Sequence, residues 1–235
     1  MNSKILSVLS AAVLVACGGG GSGGSEDLSV NPPANPPAVT TLSGTAAGGA
    51  PLVGTVTVKD SLGNTKVSMI EADGTYSVDV SGMTGPFMLR ATGMVGGSAV
   101  TYYSAATNAD LNKTVNVTPF TSMIISNIAA RLAETYYNDG SFTAGITTQA
   151  LDSAINSLQQ KLAPALQALG LSASIDLLRA SFTANHTGLD AALDLIKVSI
   201  DPVTNMATLT NALNNTIIGT DDLNQKSDEI GRAHV

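Results

Sequence analysis

The stretch Gly49-Ala50-Pro51-Leu52-Val53-Gly54-Thr55-Val56-Thr57-Val58-Lys59 decides how the folded part of this chain is read. A glycine and a proline mark a turn. A β-branched run then follows in which Val56 and Val58 alternate with Thr55, Thr57 and Lys59. Side chains alternate across a strand, so this pattern predicts a strand with one buried face. The same period recurs on both sides of a series of turns. Tyr76, Val78 and Val80 alternate with Ser77 and Asp79, Phe87, Leu89 and Ala91 with Met88 and Arg90, and Val115 and Val117 flank Asn116. Between the runs stand Gly48-Gly49, Leu62-Gly63-Asn64, Asp73-Gly74 and Gly96-Gly97. Strands separated by such turns, with no helical pattern between them, predict an antiparallel sandwich over 39–119.

After Thr118-Pro119 the period becomes that of a helix. Met123, Ile124, Ile128, Leu132 and Tyr136 recur at three and four, with Thr118 or Thr121 as cap and Asn138-Asp139-Gly140 as stop. A second helix carries Leu151, Ile155, Leu158, Leu162, Leu166 and Leu169, ends at Gly170, and is expected to kink or split at Pro164. A short piece spans Ser174 to Arg179. Thr187-Gly188-Leu189-Asp190 reads as a capping box opening a third helix through Leu193 and Ile196. Alternation returns from Val198 to about Ile218. The expected class is therefore α+β: a sandwich, a helical region over 120–197, a β-hairpin over 198–220 and a tail over 221–235.

The order Ser43-Gly44-Thr45, Gly49 to Val58, Asp60-Ser61-Leu62-Gly63-Asn64 and Ala72-Asp73-Gly74-Thr75-Tyr76-Ser77-Val78 resembles a carboxypeptidase regulatory-like domain. That family has a transthyretin-like (prealbumin-like) β-sandwich. The glycine–proline loop before a β-branched strand and the Asp-Gly-x-Tyr hairpin carry the resemblance, which covers roughly Leu42 to Val117. It implies a non-catalytic structural or binding module and no peptidase activity. Asn116-Val117-Thr118-Pro119-Phe120-Thr121 and Gly188-Leu189-Asp190-Ala191-Ala192-Leu193-Asp194 also resemble bacterial lipoproteins that join such a sandwich to a helical region.

The N-terminus carries a second resemblance. Lys4 precedes an apolar run from Ile5 to Val15, too short for a span of about 20 residues. Leu14-Val15-Ala16-Cys17 closes it as a lipobox, and the chain has 1 Cys, so Cys17 has no partner for a disulfide. The resemblance to bacterial lipoproteins implies a signal peptide over 1–16, cleavage after Ala16, a lipid on the Cys17 sulfur and acylation of the new N-terminus. Gly18 follows the cysteine, which in that family points to the outer membrane. One acyl chain holds a bilayer with a constant of only about 10⁴ M⁻¹, whereas two or three make release negligible. Residues 17–38 then form a linker. Gly18 to Gly24 is a flexible coil, and Asn31-Pro32-Pro33-Ala34-Asn35-Pro36-Pro37 prefers the extended polyproline form, spanning roughly 20 Å.

The chain ends Glu229-Ile230-Gly231-Arg232-Ala233-His234-Val235, which reads as the translation of a common sequencing adapter. The natural protein is therefore expected to continue past about Asp228, and residues 229–235 are set aside from site arguments. The full chain has a formal net charge of −7. Without Lys4, Arg232 and Glu229 it becomes one unit more negative. An acidic chain with no basic run is a poor partner for nucleic acid, which needs clustered Lys and Arg.

Few side chains suggest chemistry. His186, Asp190 and Asp194 stand four apart and sketch a metal site if the helix starts early enough. Thr187 reads as the cap, which puts His186 outside the helix, so capping and surface charge are expected and no metal. Outside the glycine linker no Gly-x-Ser-x-Gly elbow is present, and the sequence has no His-Glu-x-x-His and no cysteine pair. Asp60 to Asn64 lacks the spaced carboxylates of a calcium loop and reads as a hairpin turn. Tyr102-Tyr103 and Tyr136-Tyr137 offer rings for sugar stacking, but core and rim packing is expected of them. The sequence thus predicts a lipid-anchored envelope protein with a non-catalytic structural or interaction role, no catalytic residue and no cofactor. Its expected partners are the bilayer, through acylated Cys17, and an envelope protein or glycan. Two alternatives stand beside it: a glycan- or peptide-binding module, and the accessory region of an enzyme whose catalytic part lies outside this sequence.

Overall fold

The computed structural model describes residues 39–225. The leader, the whole linker over 17–38 and the tail from residue 226, with Ala16 and Cys17 among them, lie outside the described residues. The described chain is α+β, with antiparallel sheets and several helices. The first six strands are β1 (Thr41–Thr45), β2 (Val53–Lys59), β3 (Thr65–Met69), β4 (Thr75–Asp79), β5 (Phe87–Val95) and β6 (Ser98–Ala106). They form a four-stranded sheet in the order β3-β2-β5-β6 and a two-stranded sheet, β1-β4. Register explains the alternation. Val56 lies opposite Ala91 and Val58 opposite Leu89, and all four are fully buried. Leu42 and Gly44 face Val78 and Tyr76 in the smaller sheet, and its apolar residues join the same core.

The turns behave in two ways. Gly96 and Gly97 have φ of 55° and 82° and close the β5–β6 hairpin between Val95 and Ser98. Positive φ at both positions matches the twist of the flanking strands, and glycine adopts it without strain. Asp60 to Asn64 closes the β2–β3 hairpin, as expected. Asp73-Gly74 does not make a ladder hairpin. β4 pairs with β1 rather than with β3, so this turn passes the chain from the larger sheet to the smaller. Locally the turn is tight: Asp73 Oδ1 accepts from the Thr75 amide at 2.9 Å.

The 114–117 segment runs beside β1 through single parallel bridges, Ser43 with Thr114 and Ala46 with Val117. A Cβ at Gly44 would collide with the Val115 carbonyl, so only glycine allows that approach. The Val115 carbonyl also accepts from the buried Tyr76 hydroxyl. Tyr76→Phe is therefore expected to lower unfolding free energy by about 1–3 kcal/mol, the cost of a buried polar group losing a partner. Urea denaturation reads it as a lower midpoint at unchanged slope.

Five α-helices follow among the described residues. α1 (Pro119–Ala129) starts where expected: Thr118 Oγ1 accepts from the Thr121 amide, and Thr121 Oγ1 accepts from the Thr118 amide. The expected single helix as far as Asp139 is broken. Ala130 takes φ of 54°, Ser126 Oγ accepts from the Ala133 amide, and α2 (Ala133–Asp139) begins there. A single turn, α3 (Phe142–Gly145), leads to α4 (Thr148–Ala168), which buries Leu151, Ile155, Leu158, Leu162 and Leu166. Pro164 neither splits nor ends α4. Pro164 and Gln160 are both exposed, so the missing N–H falls on the solvent side of the helix. α4 packs on α1, and α1 on β6.

The last helix, α5 (Leu189–Leu195), runs directly into β7 (Ile196–Ile200). The hairpin expected over 198–220 is instead a three-stranded antiparallel sheet, β7-β8-β9, with β8 at Met206–Asn211 and β9 at Ile217–Asp222. The second turn, at Asn214-Asn215, returns the chain once more. Buried Asn116 ties the 178–182 segment to the β region. Its Oδ1 accepts from the Thr45 amide at 3.2 Å, and its Nδ2 donates to the Ala180 carbonyl at 2.7 Å.

Candidate cation-binding cluster

The three residues that the sequence spaced four apart do converge, by a route the spacing did not suggest. Thr187 does not cap α5. The N-cap residue is Gly188, with no side-chain cap, and the Thr187 hydroxyl donates to Asn185 Oδ1 at 2.6 Å. The expected capping box is absent because Asp190 is engaged elsewhere. Its Oδ2 accepts the His186 backbone N–H at 2.7 Å. His186 itself takes a left-handed φ of 62°, and its ring folds back on α5, bringing Nδ1 to 2.9 Å from Asp194 Oδ2. His186 is thus outside the helix, as expected, yet inside the cluster. One ligand atom of each residue lies within 4.8 Å of those of the other two.

The environments of the three differ. Asp190 is fully buried, and its Oδ1 has no hydrogen-bond partner. Burial pushes its carboxyl above the usual range, and the His186 N–H only partly offsets that. His186 and Asp194 lie nearer solvent, with side chains 68% and 35% exposed. The hydrogen bond and charge of Asp194 hold the imidazole protonated to higher pH than an ordinary histidine. That pairing is complete below the unfolded histidine value, about 6.5, and fades as pH rises through the higher folded one.

The cluster rests against the first sheet region. A Cβ at Gly49 would collide with Asp194 Oδ1, and one at Gly48 with the Tyr102 hydroxyl. The Gly48-Gly49 turn therefore sits between Tyr102 and α5. No sequence signal announced this contact, because its partners are far apart along the chain.

The tyrosine pairs are mostly interior. Tyr103, Tyr136 and Tyr137 are buried and Tyr102 is half-buried. Tyr103 and Tyr137 pack with ring centres 5.6 Å apart, and the Arg90 guanidinium lies 5.0 Å from the centre of the Tyr137 ring. A cleft of about 250 Å³ opens beside Tyr102, lined also by Ser122, Ser126, Glu134 and Val198. On the four-stranded sheet, Val53, Val67, Met69 and Met94 are exposed. Register puts them on one face, since Val53 lies opposite Met94, Thr55 opposite Met69 and Thr57 opposite Val67.

No family model matches the chain, and comparison with curated proteins and with solved structures finds no match.

A second charged cluster escaped the sequence reading. Arg179 reaches Asp110, Asp152 and Asp176 at 2.7, 3.0 and 3.3 Å. Only the Asp176–Arg179 spacing is local. The other two carboxylates come from a 3-10 turn after β6 (Asn108–Asp110) and from α4.

Proposed function

We propose that this chain is a bacterial envelope lipoprotein, held to the outer membrane by acyl chains on Cys17, with a non-catalytic structural or interaction role. The observation that carries the reading is Leu14-Val15-Ala16-Cys17 closing a short apolar run, with Cys17 the only cysteine and a Gly- and Pro-rich linker after it. No described helix is long and apolar enough to cross a membrane, so on this reading attachment rests on the lipid. The β region is proposed to be a transthyretin-like sandwich of the carboxypeptidase regulatory-like kind. The shared core of the two sheets and the crossing between them at Asp73-Gly74 support that assignment. An exposed apolar face at Val53, Val67, Met69 and Met94 supports an interaction role, because such patches mark contact surfaces.

Cys17→Ser tests this directly in bacteria. The parent chain is expected in the detergent-extractable membrane fraction and the variant in the soluble fraction. A variant that stays with the membrane as firmly as the parent contradicts the reading. A second reading, a glycan- or peptide-binding module, is favoured by the cleft beside Tyr102. At about 250 Å³ it is slightly below the usual range for small-ligand sites, about 300–1,000 Å³. Glycan-array binding that is lost in Tyr102→Ala would favour it.

A further inference from the structure

We propose that His186, Asp190 and Asp194 form a binding site for one divalent transition-metal cation, seated between α5 and the Gly48-Gly49 turn. Four observations carry it. An imidazole nitrogen and two carboxylates converge within 4.8 Å of one another. Asp190 is fully buried with Oδ1 unpartnered, a costly arrangement for a carboxylate unless a cation or donor satisfies it. Asp194 and the exposed ring of His186 leave the cluster open to solvent on one side, which gives a cation an entry path and room for water ligands. Glycine at position 49 makes the space that Asp194 occupies, since a Cβ there would collide with its Oδ1.

The chemistry of the donors selects the class of ion. Two carboxylates supply two negative charges and a neutral imidazole the third donor, which suits a divalent cation. Calcium and magnesium favour all-oxygen shells, whereas imidazole with carboxylate suits zinc and its neighbours. Ligands about 2.0–2.2 Å from one zinc ion lie within roughly 4 Å of each other. The present set, within 4.8 Å of one another, is slightly wider than that. The ion would displace the proton that His186 shares with Asp194, so binding should strengthen as pH rises through the imidazole titration. Bound there, it would tie the left-handed backbone at His186 to the first turns of α5.

Zn²⁺ titration of the full chain by calorimetry tests the site, alongside His186→Ala and Asp194→Asn. Both changes lie where the side chain is at least partly exposed, and circular dichroism checks that each variant folds. One Zn²⁺ per chain is expected. Each variant should weaken it by at least about tenfold, since removing a ligand should cost no less than removing a group that merely orients one. The parent's melting temperature should rise with Zn²⁺ and the variants' should not. The His186 Cε1–H resonance should shift on addition of one equivalent. No uptake by the parent, undiminished affinity in either variant, or Ca²⁺ binding in preference to Zn²⁺ would overturn the proposal.

Discussion

Arg179→Ala is expected to cost about 3–5 kcal/mol, the loss typical of a buried ion pair stripped of one partner. The Asp110 side chain is only 4% exposed. Its Oδ2 already accepts from the Thr107 amide and hydroxyl at 2.7 and 2.9 Å, and its Oδ1 accepts from Arg179 Nε at 2.7 Å. Without the guanidinium that carboxylate keeps its burial and loses its counter-charge. The loss is a large share of the roughly 5–15 kcal/mol that holds a domain together. Arg179→Lys should recover only part of it, because one ammonium cannot reproduce the fork shared between Asp110 and Asp152. The pair Arg179→Met with Asp110→Asn should recover much more, since no unpaired buried charge remains and Asp152 and Asp176 are left partly exposed to water. Urea denaturation of the variants reads all of this. A loss below about 1 kcal/mol for Arg179→Ala would mean the cluster behaves like an ordinary surface pair.

Asp60→Ala should have the next largest effect. The carboxylate is fully buried at the β2–β3 turn and serves four donors. Oδ1 accepts from the Leu62 and Asn64 amides at 3.0 and 2.8 Å, while Oδ2 accepts from Asn64 Nδ2 and the Thr84 amide, both at 3.1 Å. Alanine strands three backbone N–H groups, and the expected cost is about 2–4 kcal/mol after water recovers some of them. Acid should remove part of the difference. Burial pushes the Asp60 carboxyl up, but the donors from Asn64, Thr84 and Leu62 outweigh it and hold it below the usual value. A depressed carboxylate contributes stability above its unfolded value, about 3.9, and loses it as pH falls through the folded one. The gap between parent and variant should therefore be widest near neutrality and narrow below pH 4. A gap that stays constant into acid would show that the charge of Asp60 contributes nothing.

The parts of this fold that were legible in the sequence are those that local physics decides. Val56 and Val58 announce a buried strand face, Gly96-Gly97 a two-residue hairpin, and Thr118-Pro119 a helix start, because alternation, positive φ and capping are all short-range. Asp73-Gly74 is a tight turn, as its residues indicate, but that local signature is the same whether the next strand pairs with its predecessor or crosses to another sheet. The choice lies with β1, far upstream. The break between α1 and α2 was invisible for a related reason. Ala130 carries no breaker signal, and the break is held by the Ser126 hydroxyl. In the candidate site, the four-residue spacing of Asp190 and Asp194 was readable. The left-handed backbone at His186 that folds its ring back, and the approach of Gly49, were not.

The most direct measurement for the account as a whole is mass spectrometry of the chain isolated from bacterial membranes. Residues 1–16 should be gone, Cys17 should be the first residue, and it should carry acyl chains on its sulfur and its amine. An intact leader, or a Cys17 with a bare thiol, would contradict it.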